Sequence, residues 1–354
     1  MKKNLFWALA VPAVLAGCSQ EEGVNAPATG NENHEERVEV VLGSQSPSVT
    51  TRAALDADNW AGTQVGIFAV PKDAELATDA SRYFINNLQG TIEADAINLG
   101  AEAVYYPVLS DVAYHFYGYH PYVADGLVED VNGYSVNYTL DGTQDVLFGK
   151  AFVTEEQIKE VGCDGYTAKF IRLMEEKSLS YVPEIAFKHQ LTRLRFYVVD
   201  KNADPDAGVQ TVQSLRLNDV VTSIQMQLTG DTLTAGTITA GEGELGQMTL
   251  KDADGTNVAD VDVTKVETQL GESIMFWANG TNVVNAAVEV YDAGSDYSYT
   301  VEMPIRESDG ETFLPGCMYD VHMVFYGPGQ VELKATLTQW TETELPNDGI
   351  FEIN

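Results

Sequence analysis

The stretch GEGELG at residues 241–246 has the glycine spacing of a loop that cradles a pyrophosphate. Such a loop works where it opens a helix whose N-terminal amides face the phosphates. Here the strand-like GQMTLKD follows, and Glu242 and Glu244 would repel a phosphate, so the pattern predicts a hairpin turn. His115 and His120, in YHFYGYHPY, are metal-ligand types, but five residues apart on an extended strand they face opposite ways. His189 falls in an apolar phase and is expected to be a hydrogen-bonded core residue; His322 falls on the polar side of its strand. DADG at 252–255 holds half a calcium loop and reads as a turn. Cys163 and Cys317 could pair in an oxidising compartment or stand as two separate thiols. The sequence contains no nucleophile elbow, H-E-x-x-H, P-loop or C-x-x-C, so the expectation is no catalytic residue, no metal and no cofactor.

Cys18 has a different setting. It follows MKKNLFWALAVPAVLAG, two lysines and then an apolar stretch too short to span a bilayer, which predicts a secretory signal peptide over residues 1–17. Leu15-Ala16-Gly17-Cys18 resembles the lipobox of bacterial lipoproteins. The resemblance implies cleavage before Cys18 and lipid on that residue, which would hold the chain in an outer membrane. Glu21 and Glu22 resemble the surface-export tag of lipoproteins in some Gram-negative anaerobes.

Those residues need elements to carry them. Residues 19–36 are polar, acidic and rich in Gly, Pro and Asn, and read as a tether. In RVEVVL, Val38, Val40 and Leu42 alternate with Arg37, Glu39 and Val41, a strand with one buried face. SQSPSVTTRAALDADNW is loop-like and carries Arg52; TQVGIFAV resumes strand. Tyr-, Val- and Phe-rich strands follow, including YHFYGYHPY, whose rings suit either a sandwich core or a sugar-binding platform. Thr154 to Gln157 is a capping box opening a short helix that stops near Gly162, and TAKFIRLMEEKSL predicts a second. EIAFKHQLTRLRFYVVD changes phase between Phe187 and Leu194, predicting one long strand with a bulge near Thr192. Short strands separated by Gly, Asn and Asp fill the rest, as in a sandwich. Tyr319 to Phe325 and Val331 to Leu337 alternate around Gly327-Pro328-Gly329, a hairpin.

The 354 residues leave room for two domains after a signal and tether. The net charge of −33 repels phosphate backbones, so nucleic acid is excluded as a partner.

In order along the chain, the lipobox, the first strand, Thr51-Arg52-Ala53 ahead of Trp60, VGIFAV, VYYPV, YGYHPY, QDVLFGKA, IAFKHQLTRLRFYVV, LPGCMYDVHMVF and ATLTQW resemble the fimbrillin family, the type V pilins. The resemblance implies an all-β protein of two transthyretin-like β-sandwich domains, at 53–185 and 186–354; the helical insert at 154–182, read from its caps, has no counterpart in the family's pattern. It also implies that residues 18–52 are removed by an Arg-specific protease cutting between Arg52 and Ala53. The lost strand, with Val38, Val40 and Leu42 facing a groove, is then replaced by a strand of another subunit. The tail TETELPNDGIFEIN, with Phe351 and Ile353 on one face, is one candidate donor; its PNDG also suits a fold-back turn. The implied partners are other pilin subunits, shaft, tip or anchor, and host or bacterial surface ligands; the implied location is the cell surface, in a fimbrium. The alternative is a surface lipoprotein adhesin or glycan binder that never polymerises.

Overall fold

TQVGIFAV and AYHFYGYH lack the polar phase of a half-buried strand, and the fold explains why. A computed structural model of the chain describes residues 37–47, 55, 59–108, 112–202, 208–243, 245–307, 311–327 and 330–338. The first half contributes β1 (Leu42–Gln45), β2 (Gln64–Pro71), β3 (Ile85–Glu93), β4 (Ala96–Asn98) and β5 (Tyr114–His120). It continues with β6 (Val128–Asp130), β7 (Gly133–Thr139), β8 (Leu147–Ala151), α1 (Glu155–Val161), α2 (Ala168–Glu176) and β9 (Glu184–His189). Seven of these strands close into a barrel in the order β1-β4-β3-β2-β5-β8-β9. Val65, Ile67, Ala69 and Phe116 point into the barrel. Phe68, Val70, Tyr117 and Tyr119, from the same two strands, point into the core of the second half. With both faces buried, β2 and β5 are apolar or aromatic along their middles, and their polar residues are only Gln64 at the exposed start of β2 and His115 and His120 in β5. At Gly66 the Tyr119 ring lies so close that an added Cβ would sit 2.0 Å from it.

The insert forms as its caps dictate. The Thr154 hydroxyl accepts from Gln157 N, the Gln157 side chain accepts from Thr154 N, and Gly162 ends α1 at φ 88°. Thr167 caps α2, which buries Phe170 and Met174 against the barrel core.

The second half contributes β10 (Thr192–Asp200), β11 (Gln210–Val220), β12 (Ser223–Gln227), β13 (Ile238–Ala240), β14 (Gly246–Thr249) and β15 (Val261–Asp262). After these come β16 (Thr268–Phe276), β17 (Val283–Asp292), β18 (Tyr297–Arg306), β19 (Met318–Gly327) and β20 (Gln330–Thr338). One sheet runs β16-β10-β19-β20; a second runs β14-β11-β17-β18, with β15 also on β11. The fold is thus all-β with two short helices. The third sheet, β13-β12-β7-β6, takes two strands from each half. Val136 of β7 sits opposite Met226 of β12, both buried, so the halves share hydrogen bonds as well as side-chain contacts.

Two sequence expectations change. EIAFKHQLTRLRFYVVD is two strands in different sheets, not one bulged strand. Its phase slip marks a change of core: Ile185 and Phe187 face the barrel, while Leu194, Phe196 and Val198 face the second half. The crossing lies at Gln190 and Leu191, and residue 185 stands inside β9. GEGELG leads from β13 in one sheet to β14 in another, so it is a crossover and not a hairpin turn. The β19–β20 hairpin forms, with Tyr319, Val321, Met323 and Phe325 all buried.

Candidate functional site

The segment 37–47 is the most unusual part of the barrel. Val38 is half-buried, Val40 and Leu42 are buried, and Ser44 continues the same inward phase. Arg37, Glu39 and Val41 face out. The alternation expected for RVEVVL is therefore present, but it runs on through LGSQ, and regular pairing begins only at Leu42. Sequence reading stops the strand early because Gly43 and Ser44 resemble loop residues; the unbroken period of two from Val38 to Ser44 is the signal that marks it.

The segment lies between two edges. Val40 N donates to Val104 O at 2.8 Å and Tyr106 N to Val38 O at 2.9 Å, around a bridge between Glu39 and Tyr105. β1 then pairs antiparallel with β4, through Leu42↔Ile97 and Gly43↔Ala96. Its other side pairs parallel with β9, from Gly43↔Glu184 to Gln45↔Ala186. This parallel pairing closes the barrel, and without it β4 and β9 would be open edges.

The lining beneath is apolar and aromatic. Trp60 packs edge-on against Phe187 at 5.1 Å, in one core with Val40, Leu42, Ile92 and Ile97. Three buried polar atoms in this region, Ser44 Oγ, Trp60 Nε1 and Tyr106 OH, have no hydrogen-bond partner among the described residues. Burial pushes the Tyr106 hydroxyl pKa well above its usual value. Each unpaired group costs of order 1–3 kcal/mol, so the closing segment seals the barrel without satisfying it.

Asp145 holds Leu55, the first described residue after Pro47. Its Oδ2 accepts from Leu55 N at 3.0 Å, and its Oδ1 lies 2.8 Å from His189 Nδ1 at the end of β9. His189 is thus the hydrogen-bonded core residue expected. Pro47 is buried on one side of residues 48–54 and Leu55 is held on the other. The Asp145 clamp has no sequence signature, since its three parts lie 44 and 90 residues apart. Cys18, Arg52, Ala53, Phe351 and Ile353 lie outside the described residues.

The other chemical candidates do not converge. His115 is buried against Phe152, while His120 Nδ1 meets Gln64 O at 2.8 Å. Burial lowers the pKa of both, with Lys72 adding to the effect at His115. His322 stacks on Tyr197 and pairs with Glu267. DADG is a turn, closed by Asp252 N to Thr256 O. Cys163 and Cys317 are both thiols. Among the described residues, no group of three or more His, Cys, Asp or Glu side chains could hold a metal ion. No helix among them is long and apolar enough to cross a membrane.

A family model described as fimbrillin-like matches residues 51–340. No curated protein matches the chain. Among solved structures, a fimbrial protein from Bacteroides vulgatus superposes with a TM-score of 0.57 at 12% identity, covering 86% of this chain and 100% of its own. A candidate cell adhesion protein from Bacteroides uniformis gives 0.53 at 16%, covering 88% and 100%. Another from Bacteroides ovatus gives 0.53 at 14%, covering 87% and 99%. At these identities the likeness is one of fold.

Proposed function

The chain belongs to the fimbrillin-like family, and on that premise we propose that it is a pilus subunit whose residues 37–47 are a removable closing strand. The family is one of structural proteins, and the chain is a fimbrial or adhesion-type subunit of the cell surface. The observation that carries the finer reading is the seat of β1: one short strand, paired parallel to β9, closes the barrel over an apolar lining.

In this reading the precursor is exported with lipid on Cys18 and held in the outer membrane. An Arg-specific protease cuts between Arg52 and Ala53, in the stretch between buried Pro47 and the Leu55 clamp. While the loop is intact, β1 is tethered to its groove, and a tether of this length gives an effective concentration of the order of mM. After the cut that advantage is gone. Val40 and Leu42 each hold the strand by roughly 1.5–3 kcal/mol of apolar burial, and a strand from another subunit competes on equal terms. The vacated β4 and β9 edges and their lining favour refilling, because unpaired edges and wet apolar surface are both unfavourable. Phe351 and Ile353 are the side chains that would anchor the C-terminal tail as donor.

The test is treatment of purified precursor with an Arg-specific protease. The expected product begins at Ala53 and forms ladders and fibres, alone or with cognate subunits, while uncut precursor stays monomeric. Truncation after Trp340 is expected to leave monomers folded and stop growth. Fibres from the truncated chain would remove the tail as donor, and a cut chain that never polymerises would leave a surface adhesin as the better reading.

A further inference from the structure

A cavity of about 200 Å³ opens at one end of the second half, away from the barrel groove. It lies where β11 ends, where β14 begins and where β16 crosses to β17. Its rim holds the half-buried indole of Trp277 and the exposed Leu245. Around them stand three carboxamides, Asn218, Asn279 and Asn285, and one carboxylate, Asp219. Asn218 and Asn285 are register partners across the β11–β17 ladder, so their side chains leave the sheet on the same face. Asp219 and Asn279 hold positive φ, at 56° and 48°, a conformation that Asp and Asn tolerate better than most residues.

We propose that this cavity binds one uncharged pyranose ring of a surface glycan. Three features select that class. The indole offers an apolar face that a sugar's C–H surface covers, with its polar N–H at the edge. Each carboxamide carries two donors and an acceptor, which matches the paired donor and acceptor character of neighbouring sugar hydroxyls. Asn218 Oδ1 is buried and has no partner among the described residues, in a residue that lines the cavity; a sugar hydroxyl that reaches it would satisfy that acceptor. Size sets the limit. Drug-sized ligands fill roughly 300–1,000 Å³, so the smaller space here takes one ring, with the rest of the glycan outside. Asp219 at the rim and the −33 charge of the whole chain oppose an anionic sugar. None of the lining residues belongs to the closing strand, so the site stands whether or not the subunit polymerises.

Saturation-transfer NMR on the purified chain tests it, with galactose, mannose, fucose, N-acetylglucosamine and N-acetylneuraminic acid each at millimolar concentration. The expected result is transfer to at least one neutral sugar and none to N-acetylneuraminic acid. Trp277→Leu should weaken that binding about tenfold or more, from loss of the stacking area. Asn279→Gly keeps the left-handed backbone, removes one exposed carboxamide and should weaken binding about fivefold. If Trp277→Leu fails to fold, the Asn279→Gly arm decides alone. Silence from every neutral sugar, binding of N-acetylneuraminic acid alone, or full affinity in the folded variants would overturn the proposal.

Discussion

Among the described residues two strand pairings are parallel, and they differ in almost every other respect. β1 meets β9 through three register pairs and β4 through two. β19 meets β10 through eight register pairs and carries nine more on β20. The inward row of β19, Tyr319, Val321, Met323 and Phe325, is wholly apolar apart from one tyrosine hydroxyl, which accepts from Leu314 N. Its outer face adds a two-pronged ion pair from Arg195 to Asp320, at 2.7 and 2.8 Å. The inward row of β1 ends in a serine whose hydroxyl has no partner among the described residues. The same device, a parallel seam between distant segments, is built once as a permanent centre and once as a light closure. A light closure is what a replaceable strand requires.

The largest expected effect separates the two seams directly. Val321 is fully buried, and Val321→Asp should cost about 4 kcal/mol or more, because an isolated carboxylate in that sheet has no partner. Folded protein should not be recovered. Leu42 is also buried, and Leu42→Asp should cost about 3 kcal/mol, but the loss should stay local. Hydrogen exchange is the measurement: amides of β4 and β9 should lose protection while those of β10 and β19 keep theirs. Equal loss in both regions would mean that β1 is as integral as β19, and the comparison would fail.

Acid should act on the barrel through His115. Burial, with Lys72 beside it and a smaller effect of Lys150, lowers its pKa from 6.5 to about 4, against the opposing pull of Asp164, which Lys72 also pairs with. The sign follows from where the proton is bound. Below pH 6.5 the unfolded chain takes up a proton that the folded one refuses, so stability falls as pH drops from 6.5 and levels off below about 4. The full effect is at most about 3 kcal/mol. Denaturant titrations of wild type and His115→Gln at pH 7 and pH 4.5 should show a steeper acid loss in wild type. Parallel losses would remove His115 as the cause.

How much of this was legible varied with what each residue's neighbours are. The two helices read correctly because caps at Thr154 and Gly162 are local. The all-β fold read correctly because strands and turns alternate along the whole chain. The break at Gln190 did not, since a phase slip looks the same whether a strand bulges or changes core. The sheet shared by β7 and β12 was invisible for the same kind of reason: Val136 and Met226 meet although they lie 90 residues apart. At the candidate site, Val38, Val40 and Leu42 were readable from their period. Ser44, the Asp145 clamp and the parallel partner β9 were not, because each is defined by a tertiary neighbour and not by a spacing. The cavity beside Trp277 belongs to the same class.

The smallest expected effect is the most informative about the closing strand. Ser44 is 3% exposed, its Oγ has no partner among the described residues, and its backbone N donates to Asp95 O at 2.8 Å. A buried hydroxyl without a partner lowers stability by its desolvation cost, while the backbone bond does not depend on the side chain. Ser44→Ala should therefore stabilise the closure by up to about 1 kcal/mol, the reverse of the usual sign for a substitution in a buried strand. A matching change on β19, Val321→Ala, should destabilise by about 2 kcal/mol, because it opens a space in a packed row. Hydrogen exchange at Gly43 and Ser44, and the rate at which a protease-cut precursor releases residues 18–52, report the first; both should slow by about fivefold. If Ser44→Ala instead loosens the strand, the hydroxyl has a partner in the folded protein, and the lightness of this seam lies in its length alone.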